Sequence, residues 1–113
     1  MAFHGPAQYA DQLLSQTVVT LATAPGDVRS RLWQAYSTFH PLTPEHFPEH
    51  LRKDFEWVMN QLTKRQPYIN YEGRVQEGSV EVSLKHMRNS TGTKIAEKLV
   101  QLQYAIDRYV NPR

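Results

Sequence analysis

The chain has 113 residues, long enough for one domain with its own core and too short for several. Its 40% hydrophobic and 21% charged residues are those of a globular protein, not of a disordered or fibrous one. A net charge of +2 does not by itself announce a nucleic-acid binder, and the lack of cysteine excludes disulfides, thiol catalysis and thiolate metal sites.

Residues 6–23 set Ala10, Leu13, Leu14, Thr17, Val18 and Leu21 at helical spacing behind Pro6, a good first-turn residue. The β-branched residues of 17–23 leave a strand there as the alternative. Asp11 is the only charged side chain in residues 1–26, so this helix lacks a strongly solvated face and is expected at the centre of the fold or at a subunit contact. The uncharged run 12–26 has no basic segment before it and is interrupted by Gln12, Ser15, Gln16, Thr17, Thr20 and Thr23. It is too short and too polar to span a bilayer. The expectation is a cytoplasmic protein without membrane association, which also suits the absence of cysteine.

Ala24-Pro25-Gly26 breaks the chain, and Asp27 caps a second helix whose stripe is Val28, Leu32, Ala35, Tyr36 and Phe39. His40-Pro41 ends it. Thr43-Pro44-Glu45 opens a helical turn, and Pro48 starts a third helix running to about Arg65. Its stripe is Leu51, Phe55, Val58, Met59 and Leu62, with Lys64 and Arg65 suiting its negative end and Pro67 stopping it.

Residues 66–78 follow, too long for an ordinary helix–helix link and too aromatic for disorder. They are read as an irregular aromatic segment. Val80, Val82 and Leu84 alternate like a strand, while Val80, Leu84 and Met87 fit a helix capped by Ser79. Helix is the adopted reading, because a lone hairpin is marginal in water. The alternative is an α+β fold in which 68–72 pairs with 80–85, a small hairpin over 68–85. Asn89-Ser90-Thr91-Gly92-Thr93 supplies a turn and cap candidates before a last helix at about 93–110. That helix has Ile95, Leu99, Leu102, Ile106 and Tyr109 on its buried stripe. The expected architecture is all-α: a compact bundle of about five helices in a single helical domain spanning 1–113.

The elements Arg31-Leu32, Ala35-Tyr36, Phe47-Pro48, Leu51, Phe55, Glu77-Gly78-Ser79-Val80, Leu84, Met87, Ile95-Ala96, Val100 and Leu102 resemble those of a family of small, uncharacterised bacterial helical proteins. The resemblance covers roughly residues 28–110. It implies a helical fold and helix at 79–88, and carries no activity and no functional residues.

Few constellations could carry chemistry. His46-Phe47-Pro48-Glu49-His50 fits the H-x-x-E-H zinc-peptidase pattern, but Pro48 interrupts the helix that would set both imidazoles on one face. His40, His46 and His50 remain the candidates for an adventitious metal, with no metal or cofactor expected. Asn89-Ser90-Thr91-Gly92-Thr93-Lys94 could form an anion nest at a helix start, although the glycine pattern of a P-loop is missing. Lys64, Arg65, Arg74, Lys85, Arg88, Lys94 and Lys98, with Tyr68 and Tyr71 nearby, could form a basic and aromatic surface interleaved with glutamates, and Lys85, Arg88, Lys94 and Lys98 are its candidate nucleic-acid residues. Trp33 and Trp57 fall off the stripes of their helices. With Tyr68, Ile69, Tyr71 and Arg74 they make the candidate partner-binding set, since tryptophan, tyrosine and arginine dominate binding hot spots. No nucleophile elbow, dinucleotide fingerprint or carboxylate pair is legible. The functional expectation is a non-enzymatic interaction module or adaptor that binds another protein or a second copy of itself. The alternatives are nucleic-acid association through 85–98 and a minor metal- or phosphate-binding role.

Overall fold

A computed structural model of the protein describes residues 5–112. The described chain forms five α-helices: α1 (Pro6–Thr23), α2 (Val28–Phe39), α3 (Glu49–Leu62), α4 (Ser79–Lys85) and α5 (Asn89–Val110). A short 3-10 turn at Pro44–His46 precedes α3, and strands β1 (Tyr68–Ile69) and β2 (Val75–Glu77) lie between α3 and α4. The helical bundle is thus joined by one small antiparallel hairpin.

The first helix runs over the expected residues, and the strand alternative for 17–23 does not occur. Thr17 and Thr23 satisfy their hydroxyls inside the helix. Thr17 Oγ1 donates to the Leu13 carbonyl at 2.8 Å, and Thr23 Oγ1 to that of Val19 at 2.7 Å. That bond lets Thr17 be fully buried without an orphaned hydroxyl. In α2 the Asp27 carboxylate accepts from the Ser30 N–H at 3.0 Å, the cap read from the sequence.

The core is one cluster. Leu14, Leu32, Phe39, Phe55, Val58, Leu62, Ile95, Leu99 and Ile106 are all fully buried within it. Phe47, from the link before α3, is equally buried and stacks on Phe55 with ring centroids 4.6 Å apart. The longest helix, α5, packs against α1, α2 and α3, so its apolar stripe is the common wall of the fold. It begins a full turn earlier than expected, at Asn89 and not near residue 93. Gly92 lets this early turn pack closely on α2. It is buried against α2, and a Cβ there would lie 2.8 Å from Val28 Cγ1. The polar residues taken for a turn are therefore the first turn of the helix itself.

The segment 66–78 contains the small antiparallel hairpin, so the expected helical bundle also carries the small hairpin of the α+β alternative, within 68–85. Its pairing is not that of 68–72 with 80–85. Tyr68 pairs with Glu77 and Ile69 with Val75, while 79–85 is helix as adopted. Asn70 and Gly73 make the turn. Asn70 Oδ1 accepts from the N–H groups of Glu72 and Arg74, both at 3.0 Å, and Gly73 takes a positive φ of 80°. Asparagine at the first position and glycine three residues later are the residues such a turn requires.

The hairpin is tied at its base. α3 ends at Leu62, with Lys64 and Arg65 beyond it, not inside it. The Ser83 hydroxyl, on the buried face of α4, accepts from the Arg65 N–H at 2.9 Å. Ser79, one turn earlier on the same face, directs its hydroxyl at the carbonyls of Thr63 (3.1 Å) and Arg65 (2.5 Å).

Candidate functional site

The hairpin carries most of the residues singled out for binding, and both its faces are open. Its side chains alternate faces along each strand, so an ordinary hairpin would hide one set. Here Tyr68 is 58% exposed, Ile69 53% and Val75 61%. Tyr71, at the turn, is 96% exposed. Arg74 is exposed as well, its backbone N–H held by Asn70. Four large apolar or aromatic side chains thus stand in solvent on an arm whose turn and base are both hydrogen-bonded.

Trp33 lies near that base. It is 47% exposed, with its ring 6.4 Å from that of Tyr36. It lines a cleft of about 390 Å³ together with Glu77 of β2 and with Leu84 and Lys85 of α4. Trp57 does not join this surface: it is half-buried and packs against the core. The tryptophans that a helical wheel treats alike therefore have different surroundings. Val75 extends the exposed set beyond the residues chosen from sequence. Its signal was the Asn-x-x-Gly turn, which pairs it with Ile69.

A second apolar surface lies between α1 and α5. Val18, Leu21, Ala22, Ala96 and Val100 line a groove of about 470 Å³ there. This is the low-charge face of α1 that the sequence places at the centre of the fold or at a subunit contact. The helix buries Leu14 and Thr17 in the core and leaves that groove open.

Two of the cations of 85–98 are paired with carboxylates. Lys85 Nζ is 3.2 Å from Glu77, and Lys98 Nζ is 3.4 Å from Asp54. Lys94 is exposed on α5, and Arg88 occupies its N-cap position. The histidines are dispersed. His46 closes the 3-10 turn, its Nδ1 accepting from the Thr43 N–H at 3.0 Å, and its ring lies 5.3 Å from Tyr9. The His50 ring lies 6.1 Å from Tyr109. Pro48 is the N-cap of α3, so His46 precedes that helix, as the proline dictates. Among the described residues no group of three His, Cys, Asp or Glu side chains could hold a metal ion. No described helix is long and apolar enough to cross a membrane.

No known protein family matches the chain, and neither does any curated protein or solved structure. The resemblance to small bacterial helical proteins gains no support from them. The helix it implied at 79–88 is present over Ser79–Lys85.

Proposed function

We propose that the chain is a non-enzymatic protein-interaction module whose docking element is the hairpin of residues 68–77. The observation that carries this reading is the near-complete exposure of Tyr71 beside Tyr68, Ile69 and Val75, on an arm held at both turn and base. Exposed aromatic and branched side chains cost solvation free energy, and a partner that covers them recovers it. Holding the arm in place reduces the ordering entropy of binding. Trp33 beside the hairpin base extends the surface towards α2. The partner this surface suits is a protein with an apolar patch, or a second copy of this chain.

The double substitution Tyr68→Ala/Tyr71→Ala tests the reading. Partner affinity, or the self-association constant from sedimentation, should fall by more than about tenfold, the effect of losing a hot-spot residue. The melting temperature should hold, because neither ring is packed in the core. Intact binding in this variant, combined with its loss in Val100→Glu, would move the docking site to the α1–α5 groove and end the hairpin reading. The nucleic-acid reading has less behind it, since Lys85 and Lys98 are each committed to a carboxylate.

A further inference from the structure

The short helix α4 separates two clefts of opposite character. On the Trp33 side, Asp27, Glu77 and Glu81 balance Arg29 and Lys85. On the other side, a cleft of about 330 Å³ is lined by Lys64, Arg65, His86 and Arg88, together with Ser83 and Thr91, and has no acidic side chain in its wall. None of its lysine and arginine side chains forms an ion pair with a described residue, although the protein pairs cations elsewhere at Arg29, Lys85 and Lys98.

The cleft is assembled from separate elements that are fixed to each other. Lys64 and Arg65 leave the end of α3, where Ser83 of α4 holds the Arg65 backbone. His86 and Arg88 belong to the link between α4 and α5, and Arg29 of α2 holds that link by donating to the Met87 carbonyl at 3.1 Å. The start of α5 enters the lining through its N-cap Arg88 and through Thr91. Its first intrahelical bond runs from the Gly92 N–H to the Arg88 carbonyl, and no side chain caps the helix. The N–H groups of residues 89–91 therefore lack intrahelical acceptors, at the positive end of a 22-residue helix.

We propose that this cleft binds a phosphomonoester, with the phosphate held by Arg65, Arg88 and Lys64 over the first turn of α5. Guanidinium groups bind phosphate oxygens in pairs, lysine adds a point charge, and even a neutral imidazole offers one N–H donor. The shape favours a small ligand over a polynucleotide. The volume lies at the lower end of the range of about 300–1,000 Å³ typical of small-molecule sites. Lys64, Arg65, His86 and Arg88 line one cleft, while Lys85 and Lys98, outside it, are each paired with a carboxylate. Met87 in the wall gives an organic substituent an apolar contact.

The test is a backbone-amide NMR titration of the intact chain with phenyl phosphate, inorganic phosphate and sodium chloride in parallel. Saturable shifts should centre on Arg65, Arg88 and residues 89–91, and phenyl phosphate should bind more tightly than inorganic phosphate. Arg88→Gln should weaken binding about tenfold, the effect of one charge-assisted hydrogen bond. Lys53→Gln, an exposed cation of α3 outside the cleft, should leave it unchanged. The thermal melt of Arg88→Gln should match that of the parent, which separates lost binding from lost folding. Shifts that do not saturate, or that chloride reproduces, overturn the proposal. Equal loss from Lys53→Gln and Arg88→Gln also overturns it. Tight binding of a single-stranded oligonucleotide with no response to phenyl phosphate would replace it with a backbone-tracking surface.

Discussion

Gly92 shows how one missing side chain lets two helices approach closely. An added Cβ would meet Val28 Cγ1 at 2.8 Å and Leu32 Cδ1 at 3.6 Å, so α5 can lie this close to α2 only with glycine at that position. Opposing effects decide the outcome of Gly92→Ala. Overpacking costs about 1–3 kcal/mol, while alanine improves helix propensity by about 1 kcal/mol. The expected net is a loss of about 1 kcal/mol in urea unfolding. In a Val28→Ala background the clash is gone, so the same Gly92→Ala step should become stabilising. A double-mutant cycle with no coupling between positions 28 and 92 would sink this account. Asp27 makes a complementary point about capping. The Ser30 N–H, followed by the Arg29 side chain, lowers its pKa below the usual carboxylate value. The stabilisation this cap supplies is present above the ordinary carboxylate range and is lost as pH falls through the lowered value.

At the scale of elements, the serine pair on α4 decides whether the hairpin is an arm or a loose loop. A two-strand hairpin is marginal alone, and this one has strands of only two and three residues. Its order depends on its ends being held, at the turn by Asn70 and at the base by Ser79 and Ser83. Ser83→Ala would leave the Arg65 N–H without its acceptor, at a cost of about 1–3 kcal/mol if no water replaces it. With Ser79→Ala added, amide exchange should accelerate across residues 66–78 and stay slow in the middle of α5. Unchanged exchange in the arm would show that the base does not restrain it. These bonds mark where sequence reading stopped. The helical stripes of α1, α2, α3 and α5 were legible because buried residues recur at helical spacing. The hairpin was legible only as an alternative with another partner strand, because its apolar residues face solvent on both sides and leave no burial pattern to fix the pairing. Its one local signal was Asn70 with Gly73. The binding candidates divide in the same way. Aromatic composition singled out Tyr68 and Tyr71, but no helical wheel could distinguish exposed Trp33 from half-buried Trp57, because their neighbours come from elsewhere in the chain. Of the cationic cleft, Lys64, Arg65 and Arg88 belong to the basic set read from sequence, but that set does not single out the cleft or His86, since these residues line one cleft only after α4 folds back between them.

On the scale of the molecule, stability depends on how α1 and α5 meet, and charge opposes that meeting at one point. Asp11 sits on α1, with one carboxylate oxygen buried and without a hydrogen-bond partner among the described residues. Burial first, and then the charge of Asp107 on α5, raise its pKa above the ordinary value of 3.8. The sign follows from linkage. Below 3.8 the carboxyl is protonated in both the folded and the unfolded chain, so it carries no charge penalty. As pH rises from there through the raised value of the folded state, the unfolded chain ionises freely while the folded chain must ionise a poorly solvated group that faces Asp107. Asp11 therefore favours the fold in acid, and that contribution is lost on the way to neutral pH. Asp27 and Glu45, both with lowered values, act in the opposite direction in acid. Asp11→Asn removes the charge and keeps the shape. Its melting temperature should exceed that of the parent at neutral pH, and the two should converge as pH falls below the carboxylate range. A gain that persists unchanged in acid would assign the effect to packing instead of charge. No gain at neutral pH would show that the α1–α5 contact carries no electrostatic penalty at Asp11. Because α1 packs on α5 along its length and neither hairpin nor cleft lies at that contact, the Asp11→Asn chain should also keep the binding properties proposed for both. It is thus the background in which destabilising variants of the hairpin base can be studied while the bundle stays folded.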